Sequence, residues 1–381
     1  MAKIKNKDEE TSQKIGDKQL LRTILDDHKK EHYNDQARQD WRVSTGSLLL
    51  DVAMEGGICP SLIRLCGANN EGKTPQAIEM CRNMFASVPK SKGLWVIAEG
   101  RGLSKENVNR SGLKFVYSPE EWEYGTIFVF ETNVFELFIK TVKDLVLNNE
   151  DGAKYAFVVD SIDGLQLRDD KAKEVTENNK VAGTPMLSKK MLQSLSLGMF
   201  KYGHLMILLS QVTAEIKLNQ YEKTPNRGGQ YSGGNSLLHG ADYILEFQPS
   251  YNGDYIVDKP GGKLNDGNSK AIGKYCKVIL QKSAQETSRK HLIQYPIKFG
   301  RKPSGVWLEY ECADMLLGFG LLEKSSSWLS WEANLYKELL AIDKDIPQKI
   351  QGLDNVRVYL EEQPNITAYL VNKFKTTLIG A

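Results

Sequence analysis

The feature that most constrains the fold is GANNEGKT at residues 67–74, which has the spacing G-x-x-x-x-G-K-T. The apolar run LIRLC (residues 62–66) precedes it, and apolar residues at helical spacing follow it. A strand, a glycine-rich turn and a helix in this order form a loop whose backbone amides cradle phosphate groups. Pro75 comes directly after the motif. We expect it to be tolerated, because amides in the first turn of a helix lack intrahelical partners.

Short apolar runs alternate with helix-period segments from residue 43 to about residue 280. Besides LIRLC, the runs are LWVIA (94–98), TIFVF (126–130), YAFVVD (155–160) and HLMILLSQ (204–211). Unbroken apolar strands separated by helices indicate a buried, mostly parallel sheet with helices on both faces. The sequence therefore predicts an α/β fold of the phosphate-loop NTPase class.

Bulk properties narrow the class of protein. The 381 residues suit one large domain with smaller appendages, and the five cysteines include no C-x-x-C pair that would indicate a zinc site. No apolar run approaches the ~20 residues that span a bilayer, and the first residues lack a signal-peptide core. We therefore expect a cytoplasmic protein with no membrane partner. The net charge of +2 means that a nucleic acid would have to be held by local basic groups.

Two strand ends carry the candidate nucleotide site. Lys73 is expected to reach the outer phosphates, and the Thr74 hydroxyl is expected to hold Mg²⁺. Asp160 ends the run YAFVVD at the carboxyl edge of a central strand, where ligands bind in such sheets. We expect Asp160 to order the magnesium water; an aspartate that merely caps the next element is the alternative. The nucleotide-binding candidates are Gly67, Asn69, Asn70, Glu71, Gly72, Lys73, Thr74, Pro75, Asp160 and Ser161.

Several segments together resemble the RecA recombinase family in order and spacing. They are VSTGSLLLDVAMEGG (43–57), the phosphate loop, FVVDSIDGL (157–165), LLSQV (208–212) and GGNSLLHGAD (233–242). A later segment, QKSAQETSRKHLIQYPIKFG (281–300), is most similar to the T4-type phage members, the UvsX-like proteins. The resemblance covers roughly residues 43–331 and implies a RecA-like core that binds ATP and Mg²⁺. Phe299 and Gly300, which end the phage-like segment, join the nucleotide-binding candidates on this resemblance.

The resemblance also implies catalytic residues. Glu99 is the candidate for the carboxylate that polarises the attacking water, but an ungapped match puts Gly100 at that position, so Glu99 fits only with an extra residue in the turn. Gln211 matches the glutamine that senses the γ-phosphate. Lys282 matches a lysine that a neighbouring subunit contributes in trans, whereas Leu280 stands at the family's other lysine position. Arg289 or Lys290 would assist it.

Two long polar segments, residues 168–184 and 212–232, fall where the family's DNA-binding loops lie. Basic side chains there would neutralise backbone phosphates, while glycines at the end of the second segment would let the backbone approach DNA closely. Solvated loops are the alternative, since acidic residues dilute the charge. The DNA-binding candidates are Arg168, Lys171, Lys180, Lys217, Arg227, Gly233, Gly234 and Asn235.

These observations predict three regions and one function. The resemblance implies, by position alone, that residues 1–42, with an amphipathic helix near residues 18–30, are an oligomerisation segment. The sequence pattern predicts the ATPase core at residues 43–309 and a small C-terminal domain at residues 310–381, where the pattern becomes helical. The resemblance implies an ATP-dependent recombinase, a DNA-dependent ATPase that forms helical filaments on single-stranded DNA and pairs it with double-stranded DNA in a bacterial host. Single-strand-binding and loader proteins are further candidate partners. A RecA-fold ring helicase and a non-catalytic DNA-coating protein are the alternatives.

Overall fold

A computed structural model describes residues 16–28, 39–100, 103–168, 191, 195, 198–213, 230–231, 239–259, 262, 264, 269–284 and 292–379. The chain divides into two units, Met1–Arg38 and Gln39–Ala381. The described part of the first unit contains helix α1 (Asp17–Asp27), in the segment where the sequence predicts a helix. Leu20, Leu21 and Ile24 on this helix are about half exposed.

The second unit is built on an 11-stranded sheet in the order β11-β10-β8-β1-β6-β5-β2-β4-β3, with β7 paired to β6 and β9 paired to β10. The strands from β8 to β3 are parallel, and β10 and β11 are antiparallel additions at one end. The prediction of a mostly parallel sheet is confirmed. The bounds are β1 (Leu62–Gly67), β2 (Ser91–Ile97), β3 (Lys114–Val116), β4 (Thr126–Glu131), β5 (Lys154–Asp160), β6 (Leu205–Thr213), β7 (Gln230–Tyr231), β8 (Tyr243–Phe247), β9 (Tyr255–Val257), β10 (Ala271–Lys282) and β11 (Leu292–Lys298).

Helices cover both faces of the sheet because its strands are apolar on both sides. Ile63 and Leu65 of β1 belong to one buried cluster together with Ala77 and Met80, whereas Cys66 belongs to the other. The second cluster also holds residues of the helix that follows β4. This period-two alternation follows from strand geometry. The helices are α2 (Leu48–Ala53), α3 (Lys73–Ser87), α4 (Lys105–Ser111) and α5 (Phe135–Leu147), with 3₁₀ turns at Pro119–Glu121, Ile162–Gly164 and Asn252–Asp254.

The C-terminal segment contains helices, as the sequence pattern predicts, and also a small sheet that the sequence did not indicate. A three-stranded antiparallel sheet of β12 (Leu322–Ser325), β13 (Trp328–Trp331) and β14 (Lys349–Gln351) lies among helices α6 (Leu308–Gly318), α7 (Ala333–Leu340), α8 (Leu353–Glu362) and α9 (Pro364–Ile379). Strands of three or four residues offer too few positions for alternation to be recognised. Within the described ranges, none of the helices combines the length and apolarity needed to cross a bilayer.

Candidate functional site

The carboxyl ends of four neighbouring parallel strands bring the predicted residues to one edge of the sheet. β1 lies beside β6, with Gly67 opposite Gln211, and β2 lies beside β5, with Ile97 opposite Asp160. Glu99 follows two residues after the end of β2. Residues scattered over the chain therefore share one site because strand register aligns them, as expected for ligand sites of open α/β sheets.

The phosphate loop joins β1 to α3. Gly67 has a φ of +134°, and a Cβ there would lie 2.2 Å from the carbonyl oxygen of Phe247, so β1 can pass β8 at this point only with glycine. The α-helical ladder begins where the amide of Gln76 donates to the carbonyl of Gly72, at 2.9 Å. Pro75 precedes this first bond and removes no helical hydrogen bond. The helix continues to Ser87, so the prediction that Pro75 is tolerated is confirmed.

Lys73 lies across its own loop. Its Nζ donates to the carbonyls of Gly67, at 2.8 Å, and Ala68, at 2.7 Å. Burial lowers the pKa of the Lys73 ammonium, although the nearby Asp160 carboxylate acts in the opposite direction. An ammonium that holds two weak carbonyl acceptors in a partly buried loop can exchange them for anionic phosphate oxygens.

Oxygen ligands gather at the other side of the loop. Thr74 Oγ1 lies 3.4 Å from Asp160 Oδ2, and Ser161 Oγ donates to Glu99 Oε1 at 2.5 Å. Burial, reinforced by the Glu99 carboxylate, raises the pKa of Asp160 to about 6. Two carboxyl groups and a hydroxyl in a partly desolvated pocket form a hard-oxygen donor set that fits Mg²⁺.

The same residues indicate how the coordination of a magnesium ion would be completed. In the part of the chain that the structure describes, no group of three His, Cys, Asp or Glu side chains could hold a metal ion alone. Mg²⁺ typically takes one or two protein oxygens and fills its remaining positions with phosphate oxygens and water. Thr74 and Asp160 are suited to such a shared site.

The predicted residues are held in place by two others, which the sequence did not indicate. Asp163 Oδ2 accepts the backbone amide of Gln211 at 2.8 Å, which ties the end of β6 to the turn after β5. A Cβ on Gly164 would lie 2.7 Å from the Ala98 carbonyl oxygen and 2.8 Å from Glu99 Cγ. The missing side chain at Gly164 therefore leaves the room in which Glu99 stands. A second carboxylate three residues after Asp160 was a signal that could have identified Asp163.

A cavity of about 660 Å³ lies along this edge, which is a usual size for a small-molecule site. Its wall includes Glu99, which together with Gly100 also borders a second cavity, and the catalytic role of Glu99 stays a prediction. Sequence reasoning missed six of its residues, Asn107, Arg110, Leu209, Ser210, Lys274 and Ile297. The predicted residues on its wall are Asn69, Asn70, Gly72, Lys73, Thr74, Pro75, Glu99, Asp160, Ser161, Gln211 and Phe299.

The remaining candidates lie elsewhere. Gly67 supplies a carbonyl to Lys73, the Glu71 carboxylate accepts from Lys274 behind the loop, and Gly300 borders a separate surface cavity. Lys282 ends β10, and its Nζ donates to the carbonyl of His239 at 2.7 Å. Arg168 is exposed, and its amide donates to Glu136. The DNA-binding candidates Lys171, Lys180, Lys217, Arg227, Gly233, Gly234 and Asn235, like Arg289 and Lys290, lie outside the described residues.

Proteins with similar sequences extend this picture over most of the chain. Protein RecA of Bartonella bacilliformis is 24% identical over 330 residues, which cover 86% of this chain and 80% of that protein. Protein RecA of Delftia acidovorans is 24% identical over 348 residues, with coverages of 90% and 81%. Protein RecA of Methylococcus capsulatus is 23% identical over 337 residues, with coverages of 86% and 80%. No protein-family model matches the chain.

The matched region takes in the phosphate loop, the large parallel sheet and the strand ends that form the site. Similarity of this length to proteins that share one name, together with the fold predicted from the sequence, supports the resemblance to RecA proteins. The resemblance to the RecA family that the sequence predicts is therefore confirmed, over 86–90% of the chain.

Proposed function

We propose that this protein is an ATP-dependent DNA recombinase of the RecA type. It would form filaments on single-stranded DNA and pair that strand with homologous double-stranded DNA. The observation that carries the proposal is the convergence of Lys73, Asp160, Glu99 and Gln211 around one cavity of about 660 Å³ at the end of the phosphate loop. A lysine, a metal-binding pair, a carboxylate and an amide are the parts that ATP hydrolysis uses.

The chain's own residues supply binding and proton handling. Amides of the loop and the Lys73 ammonium would hold the phosphates, while Thr74 and Asp160 would hold Mg²⁺. When bound, Mg²⁺ would neutralise negative charge that develops on the phosphate oxygens during hydrolysis. The Glu99 carboxylate, oriented by Ser161, would position the attacking water and accept its proton.

Gln211 is the proposed link between nucleotide and DNA. It lies on the cavity wall, and β6 continues beyond it to Thr213, where the backbone pairs with β7. Residues 214–229, which connect β6 to β7, contain two of the proposed DNA-binding residues. A contact between the Gln211 amide and the γ-phosphate would bias the position of this strand end, in the manner of loops ordered by phosphate contacts.

Neighbouring subunits would assemble into the filament through two parts of the chain. The N-terminal unit would dock on the next subunit, and Lys282 would reach that neighbour's γ-phosphate in trans, as the resemblance to UvsX-like phage proteins implies. A cation from a neighbour stabilises the transition-state charge, so hydrolysis would depend on filament formation. The test of assembly is electron microscopy with single-stranded DNA and a slowly hydrolysed ATP analogue. Helical filaments are expected, and closed six-membered rings would favour a helicase instead.

The activity test is ATP turnover with and without single-stranded DNA. We expect DNA to stimulate the wild-type protein, Lys73→Ala to abolish turnover, and Glu99→Gln to lower it by about 10²–10⁴-fold while nucleotide still binds. Unstimulated, negligible turnover in the wild type would favour a non-catalytic DNA-coating protein. Normal, DNA-stimulated turnover in Lys73→Ala would contradict the assignment of the phosphate loop.

A further inference from the structure

We propose that Lys274 is a positioning residue that, together with Glu71 and Ser250, latches the phosphate loop in its nucleotide-binding shape. This inference rests on the proposed nucleotide site and assigns a function to residues that the sequence motif does not include. The latch joins the middle of the loop to β10 and to the segment after β8, which are 203 and 179 residues away from Glu71.

The Glu71 carboxylate contacts Ser250 and Lys274, and Glu71 is not among the residues that line the cavity. Its carboxylate accepts from Lys274 Nζ at 2.7 Å, from the Ser250 amide at 3.0 Å and from the Ser250 hydroxyl. Partial burial opposes ionisation, but the hydrogen bonds from Lys274 and Ser250 outweigh it and lower the pKa of Glu71. Within a phosphate loop, a carboxylate facing the anion would repel it; here Lys274 neutralises the charge behind the loop.

The ammonium group of Lys274 is enclosed. Lys274 is 7% exposed, and its Nζ donates to Glu71, to Ser250 Oγ at 3.0 Å and to the carbonyl of Asn70 at 3.2 Å. An ammonium has three donors, so these three acceptors use all of them. A Lys274 that is saturated in this way has no N–H left for a phosphate, although it borders the cavity.

The latch fixes a backbone conformation that a free loop would rarely adopt. Asn70, whose carbonyl Lys274 holds, has a φ of +63°, which is uncommon for a residue other than glycine. The carbonyl of Glu71 also lies 3.4 Å from Cys276 Sγ on β10. Because binding is stronger when a loop is ordered beforehand, the latch would raise nucleotide affinity without touching the nucleotide.

The test is the dissociation constant for a fluorescent, non-hydrolysable ATP analogue with Mg²⁺, and for the matching ADP analogue. Lys274→Met leaves the Glu71 carboxylate without its cation, and the constant is expected to rise about tenfold, equally for both analogues. Glu71→Gln is expected to raise it as well. The loss of binding free energy in the double variant Glu71→Gln/Lys274→Met is expected to be smaller than the sum of the losses in the two single variants, because both substitutions remove the same interaction.

Lys277→Met is the matched control. Lys277 lies on the same strand and forms a similar, partly buried ion pair with Asp254 at 2.6 Å, but it does not border the cavity. It is expected to bind both analogues as the wild type does. Melting temperatures without nucleotide show whether each variant still folds, and Ser250→Ala serves as a milder variant. A variant that has lost only the latch binds nucleotide more weakly at temperatures well below its melting temperature.

Tighter nucleotide binding by Glu71→Gln than by the wild type would refute the latch. If Lys274 contacted phosphates directly, Glu71→Gln would release its ammonium and tighten binding, and the ATP and ADP analogues would respond differently to Lys274→Met. Wild-type affinity in Lys274→Met and Glu71→Gln, with binding lost in Lys73→Ala, would refute the latch alone. A wild-type protein that binds neither analogue would refute the proposed function as well.

Discussion

Glu99 can stand in the cavity because the turn after β5 leaves space for it. At Gly164 a Cβ would come within 2.8 Å of both the Ala98 carbonyl oxygen and Glu99 Cγ, and one of these atoms is backbone that cannot rotate away. Any side chain at position 164 must therefore push the end of β2, and with it the proposed base, out of place. A displacement of about 1 Å at a reacting group costs up to about 10²-fold in rate.

Gly164→Ala is expected to lower DNA-stimulated ATP turnover by at least about tenfold while nucleotide affinity changes much less, since the phosphate loop is untouched. The measurement is kcat alongside the dissociation constant for the ATP analogue. Gly318→Ala, where a Cβ would meet nothing within 4 Å, is the matched control and should leave kcat unchanged. Equal kcat values for Gly164→Ala and the wild type would contradict the positioning of Glu99 by Gly164.

The sequence pattern predicted the residues of local motifs but not those that only folding brings together. Lys73 and Thr74 stand in a contiguous pattern whose chemistry is readable without a fold. Lys274 is recognisable only when β10 lies against the loop, because its partner Glu71 is 203 residues away. Asp163 lies in a recognised segment, yet its partner Gln211 depends on the register of β5 with β6.

Among the elements, α2 begins against a carboxylate from a distant helix. Glu311 of α6 is fully buried; it accepts from Ser47 Oγ at 2.6 Å and from the amides of Leu48 and Leu49 at 3.1 and 2.9 Å. Ser47 Oγ in turn accepts from the Leu50 amide at 3.2 Å. The first amides of α2 have no intrahelical partners, so this pair satisfies them and fixes α2 to the C-terminal helices.

The raised pKa of Glu311 predicts that the free energy of unfolding depends on pH. Burial, partly offset by the hydrogen bonds from Ser47 and the α2 amides, raises its pKa to about 7 from an ordinary value of 4.5. Between these values the unfolded chain releases the proton while the folded protein retains it. The contribution of Glu311 to the free energy of unfolding therefore falls by roughly 3 kcal/mol as pH rises through this window, and it is constant above about pH 7.

Denaturant unfolding between pH 4.5 and pH 8 measures this effect. Glu311→Gln does not titrate, so its free energy of unfolding should decline less steeply with pH than that of the wild type, whatever its absolute stability. Glu323→Gln, at an exposed carboxylate, is the control and should keep the wild-type slope. Identical slopes for Glu311→Gln and the wild type would show that Glu311 ionises alike in the folded and unfolded states.

Element prediction succeeded where apolar patterns were long. The five apolar runs correspond to β1, β2, β4, β5 and β6, whose residues are buried on both faces. The short strands of the C-terminal sheet were missed, since Trp331 is buried whereas Trp328 is half exposed, and three or four residues do not make a recognisable period. The motif STGSLLLD is part of the resemblance to RecA proteins, but its contacts with Glu311 could not be inferred from the sequence.

For the whole molecule, the N-terminal unit carries the proposed polymerisation element. Leu21 and Ile24 of α1 are 56% and 47% exposed. Exposure of these apolar side chains to water is unfavourable, and contact with a neighbouring subunit would bury them. Leu21→Ser/Ile24→Ser is expected to prevent filaments on single-stranded DNA, as seen by electron microscopy, while nucleotide still binds. Gln19→Ser/Thr23→Ser, on the opposite side of the helix by its spacing, should assemble normally. Filaments in the first variant would exclude α1 from the subunit contact.

We propose that nucleotide in the phosphate loop governs how tightly the protein holds DNA. The most direct measurement is the affinity for a fluorescent single-stranded oligonucleotide, at fixed salt, with a non-hydrolysable ATP analogue and Mg²⁺ and without nucleotide. We predict binding at least about tenfold tighter with the analogue, and no such gain for Lys73→Ala. Equal affinity of the wild-type protein with and without the analogue would contradict the account.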